Sequence, residues 1–541
     1  FGRNTTGGAV LINTADPSRE WLGHASVRFE GPVDGGRGAP MATGRAVVSG
    51  PLSQTVAMRL AVLHSNDGGY FRNALTGKDF GRSETTVARG GLAFDAGDRL
   101  SLIAKAEWTD SRGDGATTHN NGWFARDDFT LSVNEEGYYR SKTKFATLRA
   151  DYELDNCVIT NIAGWRDYSL HTRNDIDSSP LTLFHSDTGT TQEQWSNELF
   201  YAADLGGLAF TLGGFLFHQK VAYEEDRDLT GLGAPLQYGG GRQSHDVQGL
   251  YGQGDYDLTQ AVTLSAGLRW SREKKEAQIS YVRPRAACSI IARTCPVTGI
   301  NPTTLENNGF TDSHVWTSLS PRVALTWRPT EDSSVYGSWT RGFRSGGYNL
   351  RITQPKAFEQ ISAQLGSPAF DAERVDSFEL GVKWRSSDRR ARISAAVYWM
   401  EVDGLQREVN VPSTTSGLAQ SAFNTADARL RGAALEAEFA VTERLKLSAN
   451  LGYIDARYTR AFFDINSSGT VDQGDLDLDL PRAPEWTWGG AVNWTAPLSG
   501  AASVFANVFF QRRSRYAYTD DNWGYNEPAE RLDASLGNNL G

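Results

Sequence analysis

Apolar and polar residues alternate along much of this chain. Between Leu100 and Trp108 every second position is apolar and most positions between them are polar, and the same alternation runs through 445–453 and 486–494. A period of two places apolar side chains on one face of a β-strand and polar ones on the other. The pattern predicts about twenty such strands. The segment 503–511 is apolar on both faces, so its orientation stays open.

The predicted strands are joined in pairs by short turns, and long polar segments separate the pairs. Asp, Asn, Gly, Ser and Pro supply the turns, for example near 96–98 and 204–206. The long polar segments, among them 171–188 and 223–245, are predicted to be loops. Short turns at one end and long loops at the other are typical of an outer-membrane β-barrel. A β-propeller is the alternative, but it should repeat one motif per blade, and we find no such motif.

Composition narrows the class of protein. The 541 residues include 56 Gly and 15 Trp but only 3 Met, which disfavours a helical bundle. No run approaches the roughly 18 apolar residues of a transmembrane helix. The net charge of −10 argues against a nucleic-acid partner. Aromatic residues near strand ends predict two girdles at the membrane surfaces: Trp108, Trp165, Tyr201, Trp270, Trp327, Trp384, Trp399 and Trp494.

The chain ends and the cysteines add three expectations. The sequence begins at Phe1 without an initiator Met or signal peptide and stops at Gly541 within a predicted strand, so we expect a fragment cut at both ends. Cys288 and Cys295 lie close together in a polar segment, which favours a disulfide in an oxidising compartment over two free thiols. Cys157 lies in a predicted strand and is expected to be unpaired.

Six segments resemble the TonB-dependent receptors of bacterial outer membranes. Phe1–Thr14 is similar to the last stretch of the family's plug domain, a glycine-rich turn followed by a strand. The others are similar to barrel segments of the family, in the family's order, so that the likeness covers nearly the whole chain. These barrel segments are Leu319–Val323, Val335–Asn349, Glu373–Lys383, Asn424–Ala428 and Leu480–Pro484.

The resemblance implies an all-β protein with a transmembrane antiparallel β-barrel of about 22 strands when complete, of which about 20 lie in this chain. It divides the chain into the C-terminal end of a plug over 1–17 and a barrel over 18–541. A barrel this wide needs a plug. The resemblance implies that TonB and its inner-membrane complex contact the absent part of the plug and pull on it to open a path.

The expected function is therefore an outer-membrane receptor that imports a scarce nutrient, with a ferric siderophore as the expected cargo. We expect a monomer surrounded by outer-membrane lipid. A passive porin-like or adhesin barrel is one alternative, which the plug-like segment disfavours, and a secreted β-rich enzyme or lectin is another. Receptors for cobalamin, haem and glycans share this scaffold. The motifs G-x-S-x-G and H-E-x-x-H are absent from the sequence, so we expect no enzymatic activity and no catalytic residue.

A calcium-loop pattern occupies 464–475. Such loops have oxygen ligands at the first, third and fifth positions, Gly at the sixth and a carboxylate at the twelfth. Ser at the fifth position and Asp at the twelfth lower the expected affinity, and a solvated acidic turn is the alternative. No other cofactor is expected. The candidate Ca²⁺ ligands are Asp464, Asn466, Ser468, Thr470, Asp472 and Asp475.

Glu379 is a candidate latch between barrel and plug. It alternates with Phe378 and Leu380, so its carboxylate should face the lumen. The family places plug-to-barrel ion pairs near this strand, and Arg3 is a candidate partner. The alternative is a solvated lumen residue that pairs with Lys383 or Arg374.

Candidates for a substrate vestibule lie at the rim and in the predicted loops. Arg344 and Tyr348 follow a strand, although the glycines between them also suit a tight turn. Loop aromatics can stack on planar or sugar-like ligands, but exposed aromatics are also routine in loops. These candidates are Trp123, Tyr138, Tyr139, Tyr238 and Trp523. The histidines are scattered, and we expect His171, His185 and His245 to be solvated loop residues.

Overall fold

Long antiparallel strands dominate the computed structural model. The model describes residues 12–32, 38–125, 128–284, 288–411, 419–498, 500 and 502–539. The first fourteen strands are β1 Leu22–Glu30, β2 Met41–Pro51, β3 Val56–Asp67, β4 Phe71–Asn73, β5 Lys78–Phe80, β6 Ser83–Asp95, β7 Leu100–Gly113, β8 Thr130–Leu131, β9 Tyr138–Leu154, β10 Cys157–Asp175, β11 His185–Asp204, β12 Leu208–Asp228, β13 Gln237–Thr259 and β14 Val262–Arg283.

The second half continues the same plan. Its strands are β15 Gly309–Thr330, β16 Ser333–Arg344, β17 Glu373–Arg385, β18 Ala391–Val411, β19 Ala419–Ala440, β20 Leu445–Ala461, β21 Trp486–Pro497, β22 Ser503–Arg513, β23 Tyr516–Ala517, β24 Tyr525–Asn526 and β25 Ala529–Asn539. The helices are α1 Pro355–Leu365, α2 Gln473–Leu476 and a 3₁₀ turn at Thr230–Leu232. None of the helices in the described ranges is both long enough and apolar enough to cross a bilayer.

Twenty of these strands form one sheet in which each strand pairs antiparallel with the next. The sheet is the wall of a β-barrel, and the chain meanders around it. Short strands β4, β5 and β8 form a separate three-stranded sheet, and β23 pairs with β24. Short turns such as 155–156 connect strands at one end, called the turn side here, and long connections such as 114–137 lie at the other, the loop side. The predicted all-β barrel fold is confirmed.

The two faces of the wall differ in chemistry. On β13 and β14, Leu250 and Leu268 point outward and are 63% and 50% exposed. Their neighbours Tyr251 and Arg269 point inward, and Arg269 is buried. An apolar outward face and a polar inward face are the arrangement of a barrel in lipid. The same rule settles the orientation of β22, which the sequence leaves open. Its Val508 is exposed and lies opposite Val492 on the outward face.

Several strands continue far beyond the lipid. β13 has 23 residues and β14 has 22, whereas about 9–11 residues cross a bilayer. The predicted loops 171–188 and 223–245 are therefore too long. The first is a loop only between the end of β10 at Asp175 and the start of β11 at His185, and β12 and β13 occupy most of the second. Beyond the membrane both faces of a strand can be polar, so the alternation that marks a strand disappears although the backbone pairing continues.

An aromatic core forms at the loop side, above β14 and β15. The helix α1 packs Phe358 against Tyr281 and Phe310, with ring centroids 6.5 Å and 5.8 Å apart. Trp316 and Tyr348 belong to the same cluster and are buried. The connection from β16 to β17 is thus a packed structure that lies over the inward face of the wall.

Candidate functional site

The segment that precedes the barrel lies against its inner wall. Lys105 points inward from β7, and its Nζ donates to the carbonyl oxygen of Thr14 at 2.9 Å and pairs with Asp16 at 2.5 Å. The backbone N–H of Ser18 donates to Ser49 Oγ at 2.8 Å. The part of the expected plug remnant that is described therefore enters along the lumen wall. Residues 1–11, including Arg3, lie outside the described residues, and the domain boundary at 17 stays a prediction.

Glu379 faces the lumen, as the alternation predicts. Its carboxylate accepts a hydrogen bond from Tyr336 Oη at 2.6 Å. Lys383 Nζ lies 5.8 Å from the centroid of the same tyrosine ring. Arg374, the other expected partner, is on the opposite face, where it pairs with Asp403. The latch to Arg3 stays a prediction, and Glu379 has a barrel partner of its own.

A buried polar pair lies higher on the same inward face. His245 Nε2 is 2.8 Å from a Glu273 carboxylate oxygen, and both side chains are buried. Burial raises the pKa of Glu273, but the hydrogen bond with His245 and the charges of His245 and Lys275 outweigh burial and hold that pKa below its ordinary value. Glu273 lies beyond Trp270, the last outward aromatic of β14, on the loop side. The expectation that His185 and His245 are solvated loop residues is wrong, because both are buried strand residues, of β11 and β13 respectively.

The connection from β16 to β17 is attached to wall residues near the His245–Glu273 pair. Lys275 Nζ donates to the carbonyl oxygen of Gly346. Gln406 Nε2 donates to the carbonyl oxygens of Ser345 and Asp371 at 3.1 Å and 2.8 Å. Trp316 Nε1 donates to Asp371 at 3.3 Å. Both ends of the connection are therefore attached to the barrel wall.

This anchoring corrects the prediction for Tyr348. Its ring is buried in the aromatic core, and its hydroxyl donates to Asp312 at 2.8 Å. Burial and that acceptor raise the pKa of Tyr348 well above its ordinary value. Tyr348 is therefore part of the packing rather than of an open vestibule. Arg344, at the end of β16, is exposed.

The other vestibule candidates do not converge on one surface. Trp123 and Trp523 are exposed on separate loops. Tyr138 and Tyr139 are strand residues of β9 rather than loop residues, and they point outward and inward respectively. Tyr238 is in β13 and faces outward, where its hydroxyl donates to Glu224 at 2.5 Å. Burial and Glu224 raise the pKa of Tyr238 to about 12.

The cysteine pair closes a small loop on the outer wall. Cys288 and Cys295 are joined by a disulfide, with their Cα atoms 4.9 Å apart. Glu224 accepts hydrogen bonds from Ser289 Oγ at 3.1 Å and from the backbone N–H of Ile291 at 3.2 Å. The disulfide loop is therefore docked on the loop-side part of the wall, above the lipid. Cys157 is a free cysteine within β10.

The 464–475 loop is closed by its own carboxylates. Asp475 is fully buried and accepts backbone hydrogen bonds from Ile465 at 2.7 Å and from Asp472 at 3.0 Å. Asp472 caps α2 by accepting from Gly474, in a capping box with Asp475. The candidate ligands Asp464, Asn466 and Ser468 also accept or donate within the loop, as does Thr470. These bonds fit the solvated-turn alternative, and calcium binding stays a prediction.

The sequence analysis does not predict one cluster of two aspartates and a histidine at the loop side. Ligand-type atoms of Asp175, Asp177 and His185 lie within 4.8 Å of one another. Asp175 accepts from the backbone of Ser178 at 2.8 Å, and His185 Nε2 contacts Asn134 Oδ1 at 2.9 Å. Burial raises the pKa of Asp175. The group joins β10, β11 and the preceding loop, and the close spacing of the two aspartates is the one signal that could have found it.

Comparison with known proteins supports the family resemblance seen in the sequence. The family model described as "TonB dependent receptor-like, beta-barrel" matches residues 64–541. The probable TonB-dependent siderophore receptor PiuA of Acinetobacter baumannii is 23% identical over 44% of this chain and 27% of its own length. The probable TonB-dependent receptor BfrD of Bordetella pertussis is 24% identical over 53% of this chain and 32% of its own. The chain thus matches about a third or less of these curated relatives.

Solved structures share the fold. The crystal structure of PiuA from Acinetobacter baumannii aligns with a TM-score of 0.77 at 15% identity and covers 100% of this chain and 78% of that one. The ferric yersiniabactin uptake receptor FyuA of Yersinia pestis aligns with a TM-score of 0.75 at 17% identity, covering 99% of this chain and 75% of that one. With a family model that matches most of its length and a barrel wall of the same architecture, the chain belongs to the TonB-dependent receptor β-barrel family.

Proposed function

We propose that this chain is the barrel of an outer-membrane receptor that imports a ferric siderophore by energy-coupled transport. The observation that carries the proposal is the seating of Thr14 and Asp16 on inward-facing Lys105. A segment held on the inner wall immediately before the first strand is what a plugged barrel requires, and a plain porin has no use for it. In a plugged barrel the wall guides the cargo only after the plug has moved.

The membrane location is supported by the two faces of the wall. Outward leucines such as Leu250 and Leu268 are exposed at positions where water would make their exposure unfavourable. Energy coupling follows from the plug: a closed barrel conducts nothing until work is done on it, so TonB and its inner-membrane complex are the proposed partners. The chain itself contributes binding and positioning and changes no covalent bond of the cargo.

The cargo class is supported by what two similar proteins are named for. PiuA is named as a siderophore receptor, and FyuA as a ferric yersiniabactin uptake receptor. A siderophore is an organic chelator of ferric iron, and its iron complex is scarce enough that uptake must concentrate it. Passive diffusion cannot move a solute against its concentration gradient, which argues against the porin alternative.

Growth under iron limitation tests the proposal. The gene is deleted, and growth is scored on a panel of ferric catecholates, hydroxamates, citrate and haem in medium depleted of free iron. We expect the deletion strain to lose growth on one ferric chelate and to regain it on complementation. Unchanged growth on every iron source, together with lost growth on cobalamin or a glycan, would assign a different cargo to the receptor.

A further inference from the structure

Residues 14–18, called the root here, cross the inner wall along one row of residues. Strand pairing places the members of this row side by side across the strands: Ser49 of β2, Gly91 of β6 and Lys105 of β7, with β3 between the first two. The backbone N–H of Ser18 donates to Ser49 Oγ at 2.8 Å. Pro17 lies over Gly91, where a Cβ would be 3.5 Å from the proline ring. The root therefore rests on the β2–β7 side of the bore.

Both ends of the root are fixed to the wall. Lys105 Nζ donates to the carbonyl oxygen and the Oγ1 of Thr14 at 2.9 Å and 3.3 Å, and it pairs with Asp16 at 2.5 Å. The lysine side chain is only 19% exposed, so water screens these contacts weakly. At the other end Ser49 is fully buried, and its hydroxyl donates to the carbonyl oxygen of Met58 at 2.9 Å. The root is thus held by buried groups of the barrel.

The strands β16, β17 and β18 lie half-way round the twenty-stranded sheet from β6, and their tyrosines lie flat on the inner wall. Tyr336 covers Gly381 of the next strand, where a Cβ would collide with the tyrosine ring. Tyr398 covers Gly432 in the same way. The hydroxyl of Tyr336 donates to Glu379 at 2.6 Å. These large side chains therefore extend along the wall instead of into the bore.

The inward side chains on the two sides of the bore differ in length. On β16 those between Tyr336 and Arg344 are short, namely Ser338, Thr340 and Gly342. On β6 and β7, beside the root, the long side chains Arg89 and Glu107 point inward and form an ion pair. The side that carries the root is therefore filled, and the opposite side is clear.

We propose that the root stays on the wall when the plug is pulled, and that the bore opens along β16–β18, which is the passage for the cargo. A body attached on one side separates first at the side farthest from its attachment. Glu379, the expected latch, lies on the separating side, where a contact with the plug has to break. The passage presents hydroxyl groups, which suit a hydrated polar chelate. This inference rests on the energy-coupled import proposed above.

Cysteine labelling of the purified full-length receptor tests which side opens. Thr340 of β16 and Thr147 of β9 both point inward, seven residues from the turn-side ends of their strands. Each is changed to Cys in a Cys157→Ser background, which removes the free thiol. A polar maleimide is added in urea that loosens the plug while the barrel keeps its heat-modifiable mobility on gels. We expect Thr340→Cys to react about tenfold faster than Thr147→Cys while the Ser18 amide stays protected from hydrogen exchange.

Variants of Lys105 test the root itself. Lys105→Gln removes the charge and should accelerate exchange of the Ser18 amide about tenfold and bring the two labelling rates together. Lys105→Arg keeps the charge and should restore the wild-type pattern. Equal or reversed labelling with Lys105 intact, or a Ser18 amide that exchanges together with the rest of the plug, would overturn the proposal. The assay uses neither cargo nor energy, so its failure leaves the import proposal standing, and absent iron uptake leaves its result standing.

Discussion

His245 and Glu273 form a hydrogen-bonded pair, 2.8 Å apart, that is buried in the inner wall beyond the membrane. The pair supports the start of the connection that carries α1, because Ser345 follows β16 beside it and Lys275, two residues along β14, binds Gly346.

Glu273→Gln should loosen that connection. The substitution keeps the shape but removes the charge that strengthens the bond to His245, which costs about 1–3 kcal/mol for a buried charged hydrogen bond. Hydrogen exchange of the Gly347 amide, which donates to Phe370, should accelerate about ten- to a hundredfold. Glu276→Gln, an exposed outward residue of the same strand, is the control and should exchange as the wild type does. Equal protection in both variants would contradict the role of the pair.

The pair also predicts a dependence on pH. The folded-state pKa of Glu273 is below its ordinary value, so its stabilisation is complete above the ordinary carboxyl value of about 4.3 and is lost as the pH falls through the lowered folded-state pKa. After correction for intrinsic rates, protection of the Gly347 amide should fall towards that of Glu273→Gln below about pH 4. Wild-type protection that stays constant to pH 3 would contradict this assignment.

Val323→Arg tests which face of the wall meets lipid. Val323 points outward in the row midway between the girdle residues Trp327 and Trp270, and a cation at the middle of the apolar band costs about 2–4 kcal/mol. Gln253→Arg introduces the same side chain at a similar height, where it points into the lumen, and should change stability by less than about 1 kcal/mol. Urea unfolding of the barrel in lipid vesicles, followed by tryptophan fluorescence, measures both. An equal cost for the two variants would mean that the faces are wrongly assigned.

Removal of the disulfide should release the loop on the outer wall. Cys288→Ser with Cys295→Ser opens a loop with a sequence separation of 7, for which chain entropy gives about 2–3 kcal/mol. Because Glu224 holds the loop through Ser289 and Ile291, the Ile291 amide should exchange faster while the strands keep their protection. Cys157→Ser is the control with no expected change. Unchanged exchange at Ile291 would show that Glu224 alone fixes the loop.

The 464–475 loop can be tested for calcium. The departures from the calcium-loop pattern lower the expected affinity, so we expect a Kd of about 0.1–1 mM, typical of extracellular modules, which Asp464→Asn should abolish. Isothermal titration calorimetry of the folded barrel measures this, with EDTA-treated protein as the starting state. No heat at millimolar calcium would leave the loop as a turn closed by Asp475 and Asp472.

The sequence predicted those features that depend on near neighbours. Alternation is local, so the outward face, the strand pairing and the lumen position of Glu379 followed directly from it. The partner of Glu379 did not, because Tyr336 reaches it only through the register of two strands. His245 and Glu273 are 28 residues apart and meet for the same reason.

The larger error in the sequence-based prediction concerns how far the strands extend beyond the lipid. Where both faces are polar, hydropathy has no period, and Tyr138 and Tyr238 were therefore assigned to loops although they pair within β9 and β13. Tyr348 is a vestibule candidate in the sequence because it follows a strand at the loop side, while the glycines before it suit the alternative of a tight turn. Burial against α1 depends on contacts that no local pattern contains.

Uptake of a ⁵⁵Fe-labelled chelate tests the central proposal most directly. Cells with the intact gene, the deletion strain and the complemented strain are compared with and without an uncoupler of the inner-membrane proton gradient. We predict accumulation above the external concentration that requires both the gene and the gradient. Uptake that requires the gene but continues with the uncoupler, and only reaches the external concentration, would contradict energy-coupled import and identify a passive pore.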